Sequence, residues 1–102
     1  SNIKEDRTGE DLLFQVMLDL GIELSSKIEE KYIQDNKIYD VGENFLLACF
    51  DENITEEVVT EIAKLKPIFA IFKEGNKLTD NILINFEEIF KTYSPDTKRR
   101  VL

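Results

Sequence analysis

The stretch "NFLLACFDENITEEVVTEIAKLKPIFAIF", residues 44–72, decides the fold. Two apolar runs, residues 44–50 and 68–72, flank a segment whose apolar residues recur at helical spacing. Strands that are apolar at every position are typical of sheets covered on both faces. A strand, a helix and a second strand within about 30 residues predict a βαβ unit with parallel strands and a right-handed crossover.

The helix of this unit is predicted within residues 53–66. Asn53 or Thr55 can cap its start, and Pro67 ends it. The predicted apolar stripe of the helix consists of Val58, Val59, Ile62 and Leu65.

The segments on either side of the unit complete the element order. Residues 9–20 are predicted as a helix that Thr8 caps and Gly21 ends. Residues 26–42 alternate as a hairpin does, with its turn at Asp35-Asn36. A turn segment around Gly75-Asn76 leads into the other predicted elements, a helix at residues 81–93 and a short edge strand at residues 97–102.

These elements predict an α/β fold of mixed α+β type with three helices, a β-meander and one βαβ unit. The mixed sheet is expected to have four to five strands in the order 1-2-3-4, with the fifth beyond. The second and third helices should share one face of the sheet, and the first should cover part of the other. Residues 1–7 are expected to be a disordered leader or tag remnant, and residues 8–102 a single domain. Ser1-Asn2 favours a fragment excised from a longer protein.

Composition excludes several classes of chemistry from the chain. It has 21 acidic and 13 basic residues, a net charge of −8, no histidine and one cysteine. Because phosphate neutralisation dominates DNA affinity, this charge argues against nucleic-acid binding by the isolated domain through a basic face, and it leaves a local basic patch open. The lone Cys49 rules out an internal disulfide and suggests a reducing compartment. No apolar run approaches the roughly 20 residues that cross a bilayer.

The sharpest candidate site is the pair Asp51-Glu52, which follows the first apolar strand. Paired carboxylates can bind magnesium or act as acid and base, and Lys73 follows the next strand. The alternative is a solvated loop whose charges favour the start of the next helix. Since no glycine-rich loop or third ligand accompanies the pair, the loop interpretation is favoured. We therefore assign no catalytic, cofactor-binding or metal-binding residue.

Other residue patterns have structural interpretations as well. Cys49 lies in an apolar strand without a base, so a buried thiol is expected. The cluster Lys98-Arg99-Arg100 can touch a phosphate or an acidic partner, but a solvated tail or edge-strand guard is favoured. The last group is predicted as core and consists of Phe69, Phe72, Phe86 and Phe90. No basic residues interleave with these phenylalanines, so they do not resemble a base-stacking platform.

Four segments, in order, resemble the extreme C-terminal region of the methylation (Mod) subunit of type III restriction-modification systems. They are "DLLFQVMLDLGIELSSKIE", "FLLACFDENITEEVVTEIAKLKP", "FAIFKEGNKLTDNILINFEEIFK" and "YSPDTKRRVL". The resemblance runs from about Glu5 to Leu102. It implies a bacterial or phage-borne, cytoplasmic parent protein that methylates adenine N6 in DNA with S-adenosylmethionine.

The resemblance also implies partners for the parent: the remainder of the methylation subunit, a second methylation subunit, a helicase-nuclease restriction subunit and a short DNA site. The Asp-Pro-Pro-Tyr catalytic motif and the Phe-x-Gly-x-Gly cofactor loop of that family are absent from the sequence. The "SPDT" segment lacks the aromatic residue that stacks on a flipped adenine. No catalytic or cofactor residue is therefore carried over.

Three functions follow as hypotheses. The first is a non-catalytic accessory or assembly domain of such a methyltransferase subunit, which binds neither S-adenosylmethionine nor DNA tightly on its own. The second is a stand-alone acidic adaptor that binds a protein partner. The third is a carboxylate-metal nuclease built on Asp51, Glu52 and Lys73.

Overall fold

The computed structural model describes residues 8–75 and 80–102. Within them, three helices and five strands form an α+β fold around an open sheet. The elements are, in chain order, α1 (Gly9–Leu20), β1 (Ile28–Ile33), β2 (Asn36–Val41), β3 (Leu46–Cys49), α2 (Glu56–Lys64), β4 (Phe69–Phe72), α3 (Asp80–Tyr93) and β5 (Lys98–Val101). The predicted fold class is confirmed.

The sheet has the strand order β1-β2-β3-β4-β5. Strands β1, β2 and β3 form an antiparallel meander, in which Ile28 pairs with Val41 and Tyr39 with Ala48. Strand β4 runs parallel to β3, as predicted for a βαβ unit, and β5 runs parallel to β4. The sheet is therefore mixed, and the predicted edge strand at the end of the chain is present.

Two hydrophobic cores lie on opposite faces of this sheet, because successive strand residues point to opposite sides. On one face α2 and α3 pack on Leu47, Cys49 and Phe72. On the other face α1 packs on Leu46 and Ile71. Every residue of β3 is buried, in agreement with the prediction that both faces of this strand are covered.

The helix boundaries follow local chemistry that the sequence indicated. The hydroxyl oxygen of Thr8 accepts a hydrogen bond from the N–H of Asp11, and that of Thr55 from Val58. Of the two predicted caps of α2, Thr55 is therefore the one used. Gly21 ends α1 with a φ of 73°, a left-handed conformation that glycine adopts without steric cost.

Two predictions about individual residues were wrong. The hairpin turn lies one residue earlier than Asp35-Asn36, because Asn36 pairs with Ile33 inside the ladder. Leu65, predicted in the apolar stripe of α2, caps the helix C-terminus and is 44% exposed. The four phenylalanines predicted as core are divided between the two cores: Phe69 packs on the α1 side of the sheet, and the other three lie on the opposite side. The predicted leader, residues 1–7, and the turn residue Asn76 lie outside the described residues.

Candidate functional site at the ends of the parallel strands

A cavity of about 370 Å³ opens beyond the carboxyl ends of β3 and β4. This is the edge at which open α/β sheets hold ligands. Its charged lining consists of Asp35, Lys37, Asp51 and Lys73, and Tyr39 and the start of α1 close one side. Two of the three residues of the carboxylate-lysine hypothesis, Asp51 and Lys73, thus lie around one cavity.

The side chain of Asp51 connects the β1–β2 hairpin to the end of β3 through hydrogen bonds. Its Oδ2 accepts hydrogen bonds from Nδ2 of Asn36, at 3.1 Å, and from the N–H of Lys37, at 3.0 Å. Asn36 is only 4% exposed, so its amide depends on this partner. These bonds also explain the shifted turn, since they hold Asn36 within β2.

Glu52, the second carboxylate of the pair, is not part of the cavity lining. Its side chain packs against Gly75, where an added Cβ would lie 3.2 Å from Cγ of Glu52. Neighbours in sequence therefore have different surroundings: Asp51 binds the hairpin, and Glu52 lies beside the segment that follows β4. Across residues 8–75 and 80–102, no three Cys, Asp or Glu side chains come together as a possible metal site.

The cationic side of the cavity is formed by a lysine above a tyrosine. The Nζ of Lys37 lies 5.5 Å from the ring centroid of Tyr39 and 3.5 Å from Oε1 of Glu30. The phenolic group of Tyr39 and the Glu30 carboxylate together raise the pKa of Lys37. Burial raises the pKa of Tyr39, so its hydroxyl stays protonated at neutral pH.

Tyr39 also explains the glycine at the start of α1. A Cβ at Gly9 would lie 2.6 Å from the Tyr39 hydroxyl, so only a glycine lets the first turn of α1 sit on this ring. The cavity is therefore bounded by a close contact between helix and sheet, and its charged groups lie on fixed strand ends.

Cys49 is fully buried below this edge. Burial raises the pKa of its thiol to about 11. Since the thiolate is the reactive form, the thiol is inert at neutral pH. This agrees with its interpretation as a structural residue.

The cluster Lys98-Arg99-Arg100 is divided between the two faces of β5. Arg99 points toward α3, where its Nη2 lies 2.6 Å from Oε1 of Glu87 and its guanidinium lies 5.4 Å from the ring centroid of Phe90. Lys98 lies over the ring of Phe69, with Nζ 5.7 Å from the centroid. The expectation that no basic residue interleaves with the phenylalanines was therefore wrong, because β5 brings basic side chains onto two of them.

Sequence reasoning missed an ion pair in the meander between a buried carboxylate and a half-exposed lysine. The Asp40 side chain has no exposed surface; its Oδ2 lies 2.7 Å from Nζ of Lys31, and its Oδ1 accepts a 2.7 Å hydrogen bond from the N–H of Asn44. The hydrogen bond and charge of Asp40 raise the pKa of Lys31. The available signal was an aspartate inside an apolar strand, four residues before an asparagine in a turn.

Within the described residues, no helix has the length and apolar character needed to cross a membrane. No protein-family model matches the chain, and no curated protein matches it. The fold and the cavity thus define an α+β domain with a charged cleft at the ends of its parallel strands.

Proposed function

We propose that this chain is a non-catalytic accessory and assembly domain of a type III restriction-modification methylation subunit. Four ordered segments of the sequence resemble the C-terminal region of that subunit. The parent would be a cytoplasmic adenine-N6 DNA methyltransferase that uses S-adenosylmethionine bound elsewhere in its chain. The partners of the domain would be the rest of that subunit, a second methylation subunit and the restriction subunit.

The observation that best supports this proposal is the position of Asp51. Its Oδ2 accepts hydrogen bonds from Asn36 and Lys37, and so it joins the hairpin to the βαβ unit. A carboxylate that accepts hydrogen bonds from a backbone N–H and from a buried side-chain amide has a structural role. Glu52, turned toward Gly75, does not complete a pair with it.

An exposed apolar stripe on α1 supports the assembly role. Phe14 is 42% exposed and Leu18 is 60% exposed, and they lie one helical turn apart on the same side of α1. Contiguous exposed apolar side chains are typical of protein interaction surfaces. The remainder of a longer subunit, or a second subunit, would cover them.

Ligand titrations test the proposal on the purified chain. Isothermal titration calorimetry with S-adenosylmethionine and fluorescence anisotropy with labelled duplex DNA should show no binding in the low micromolar range. Tight binding of either ligand would contradict the accessory role. The intact mass of the native polypeptide that carries this segment should exceed 11.9 kDa several-fold. A native mass near that of the chain would instead favour the stand-alone acidic adaptor.

The nuclease hypothesis has one supporting observation, the shared cavity of Asp51 and Lys73. We expect supercoiled plasmid to remain intact with and without magnesium. Cleavage that requires magnesium and is lost in Asp51→Asn would establish the nuclease and overturn the accessory proposal. Glu61→Gln is the matched control, because Glu61 is exposed on α2 and does not line the cavity.

A further inference from the structure

The α1 face of the sheet has room for a second helix. Five strands span about 19 Å, and one helix with its side chains covers about 10 Å. Helices α2 and α3 both pack on the opposite face, whereas α1 is the single described helix on this one. Two adjoining open cavities, of about 590 and 330 Å³, lie beside the C-terminal end of α1 and share Leu20 and Phe69.

The floor of these cavities is apolar. Phe45 is 40% exposed and packs edge-on against Phe69, with ring centroids 5.6 Å apart. Leu20 is partly buried beside them. We call this surface, made by Leu20, Phe45 and Phe69 with Lys98 and Arg100 at its rim, the β5 groove.

The rim of the β5 groove carries unpaired positive charge. Lys98 and Arg100 are exposed and line the groove, and neither has an acidic partner among residues 8–75 and 80–102. Arg99, between them in sequence, is neutralised by Glu87 on the other face. The chain has a net charge of −8, so two neighbouring cations beside an apolar floor make this surface locally positive on a negatively charged protein.

We propose that the β5 groove binds an acidic amphipathic helix of a partner protein. The apolar side of that helix would cover Leu20, Phe45 and Phe69, and its carboxylates would pair with Lys98 and Arg100. Such helix-in-groove recognition places apolar anchors at helical spacing. The inference rests on the proposed assembly function and adds to it the surface and the chemistry of the partner.

The lining of the groove also orients the partner. Glu23 lines the end of the groove opposite to β5. Carboxylates of the partner near Glu23 would be repelled, so its acidic residues belong at the β5 end. Duplex DNA suits this surface poorly, because two cations neutralise few phosphates and the apolar floor offers none of the polar contacts that phosphates need.

The test uses the whole chain and a synthetic helical peptide with leucines along one side and glutamates grouped at one end. A matched peptide carries lysines in place of the glutamates. We expect the acidic peptide to bind in fluorescence anisotropy and to shift the amide resonances of Leu20, Phe69 and Arg100. Arg100→Glu should weaken binding about tenfold or more, because it replaces an attraction by a repulsion.

Lys91→Glu is the control, since it makes the same charge change on α3, where Lys91 pairs with Glu88. It should leave the affinity for the acidic peptide unchanged. Equal binding of the lysine peptide, no loss in Arg100→Glu, or shifts confined to α2 and α3 would overturn the inference. Displacement of the peptide by duplex DNA would reassign the groove to nucleic acid. If the peptide, S-adenosylmethionine and DNA all fail to bind, the proposed role of the β5 groove is rejected. The accessory function would then still stand.

Discussion

At the scale of single residues, Asp51 shows how one carboxylate can have a catalytic position and a structural role. It follows β3 at the edge where ligands bind in open sheets. Its Oδ2 is nevertheless held by Asn36 and Lys37. The position of a residue in the fold can make it a catalytic candidate. Its hydrogen-bond partners then show whether its side chain already has a structural role.

This role predicts the cost of removing the side chain. Asp51→Ala should lower the free energy of unfolding by about 1–3 kcal/mol, because it leaves the buried amide of Asn36 without its partner. Glu52→Ala, which leaves those hydrogen bonds untouched, should change it by less than about 0.5 kcal/mol. Urea denaturation of both variants checks the difference. Equal effects would show that the hairpin does not depend on Asp51.

The ion pair between Glu87 and Arg99 predicts a pH dependence. The hydrogen bond that Glu87 accepts from Arg99 lowers the pKa of Glu87 below the ordinary value of 4.5. The stabilisation is therefore fully present above pH 4.5 and is lost as the pH falls through the lower pKa of the folded state. Glu87→Gln should cost less than about 1 kcal/mol at neutral pH, because the pair is partly exposed.

The measurement for Glu87 is a series of urea unfolding curves of the native chain and Glu87→Gln at decreasing pH. The stability difference should shrink toward zero in acid, where a protonated Glu87 resembles glutamine. A difference that stays constant over this range would show that charge pairing with Arg99 contributes nothing.

At the scale of elements, the turn between β2 and β3 has a strongly constrained backbone. Three successive residues, Gly42, Glu43 and Asn44, have φ values of 69°, 54° and 73°. L-residues rarely adopt this conformation, and the buried Asp40 carboxylate holds it by binding the N–H of Asn44. The ion pair of Asp40 with Lys31 thus links the β1–β2 hairpin to the next turn.

Gly21 and Gly42 have similar φ values, so alanine substitutions at these two positions separate the cost of backbone strain from the cost of steric crowding. The Cβ added by Gly21→Ala would have no neighbour within 4 Å. This variant should therefore lower the free energy of unfolding by about 1–2 kcal/mol for its left-handed φ alone. Gly42→Ala carries the same strain and also places its Cβ 3.1 Å from that of Phe45. Its loss in thermal unfolding should therefore be larger. Equal losses would mean that the turn relaxes without cost around Phe45.

The elements also show where sequence reasoning succeeds. Periodicity, caps and a terminal glycine are local signals, so α1 was predicted with the bounds Gly9–Leu20 that the structure has. The apolar runs of β3 and β4 predicted a sheet covered on both faces for the same reason. Whether a helix residue such as Leu65 is covered depends on where the helix stops, which its spacing does not encode.

The candidate site was predictable only in part, because it depends on contacts between distant segments. The sequence placed Asp51 and Lys73 after neighbouring strands, and the structure brings both to one cavity. The hydrogen bonds from Asn36 and Lys37 to Asp51 join residues that are 15 and 14 positions apart, so no local sequence pattern predicts them. The division of Lys98 and Arg99 between two faces likewise requires the register of β5.

At the scale of the whole molecule, one sheet serves two cores. Alternate residues of β3 and β4 supply both, so Leu46 belongs to the α1 side and Phe90 of α3 packs on the other. A sheet shared in this way couples the two sides mechanically, because losing either core exposes one face of the same four-residue strands. The domain is therefore expected to unfold as one cooperative unit.

Core truncations test that coupling. Leu46→Ala and Phe90→Ala, one on each side, should each lower the free energy of unfolding by about 3–5 kcal/mol, because both side chains are fully buried. Phe14→Ala, at a 42% exposed position, should cost less than about 1 kcal/mol and serves as the control. Urea unfolding is followed by far-ultraviolet circular dichroism and, in a Tyr32→Phe, Tyr93→Phe background, by the fluorescence of Tyr39, which lies on the α1 side.

Both truncations should move the two signals together, because strands β3 and β4 cannot keep one face when the other is lost. Leu46→Ala is the more informative variant, since it weakens the side that has a single helix. If its tyrosine signal changes at a lower urea concentration than its circular dichroism, α1 detaches from the sheet before the rest unfolds. The β5 groove would then lie on the less stable layer of the domain, and a partner helix bound beside α1 would stabilise that layer.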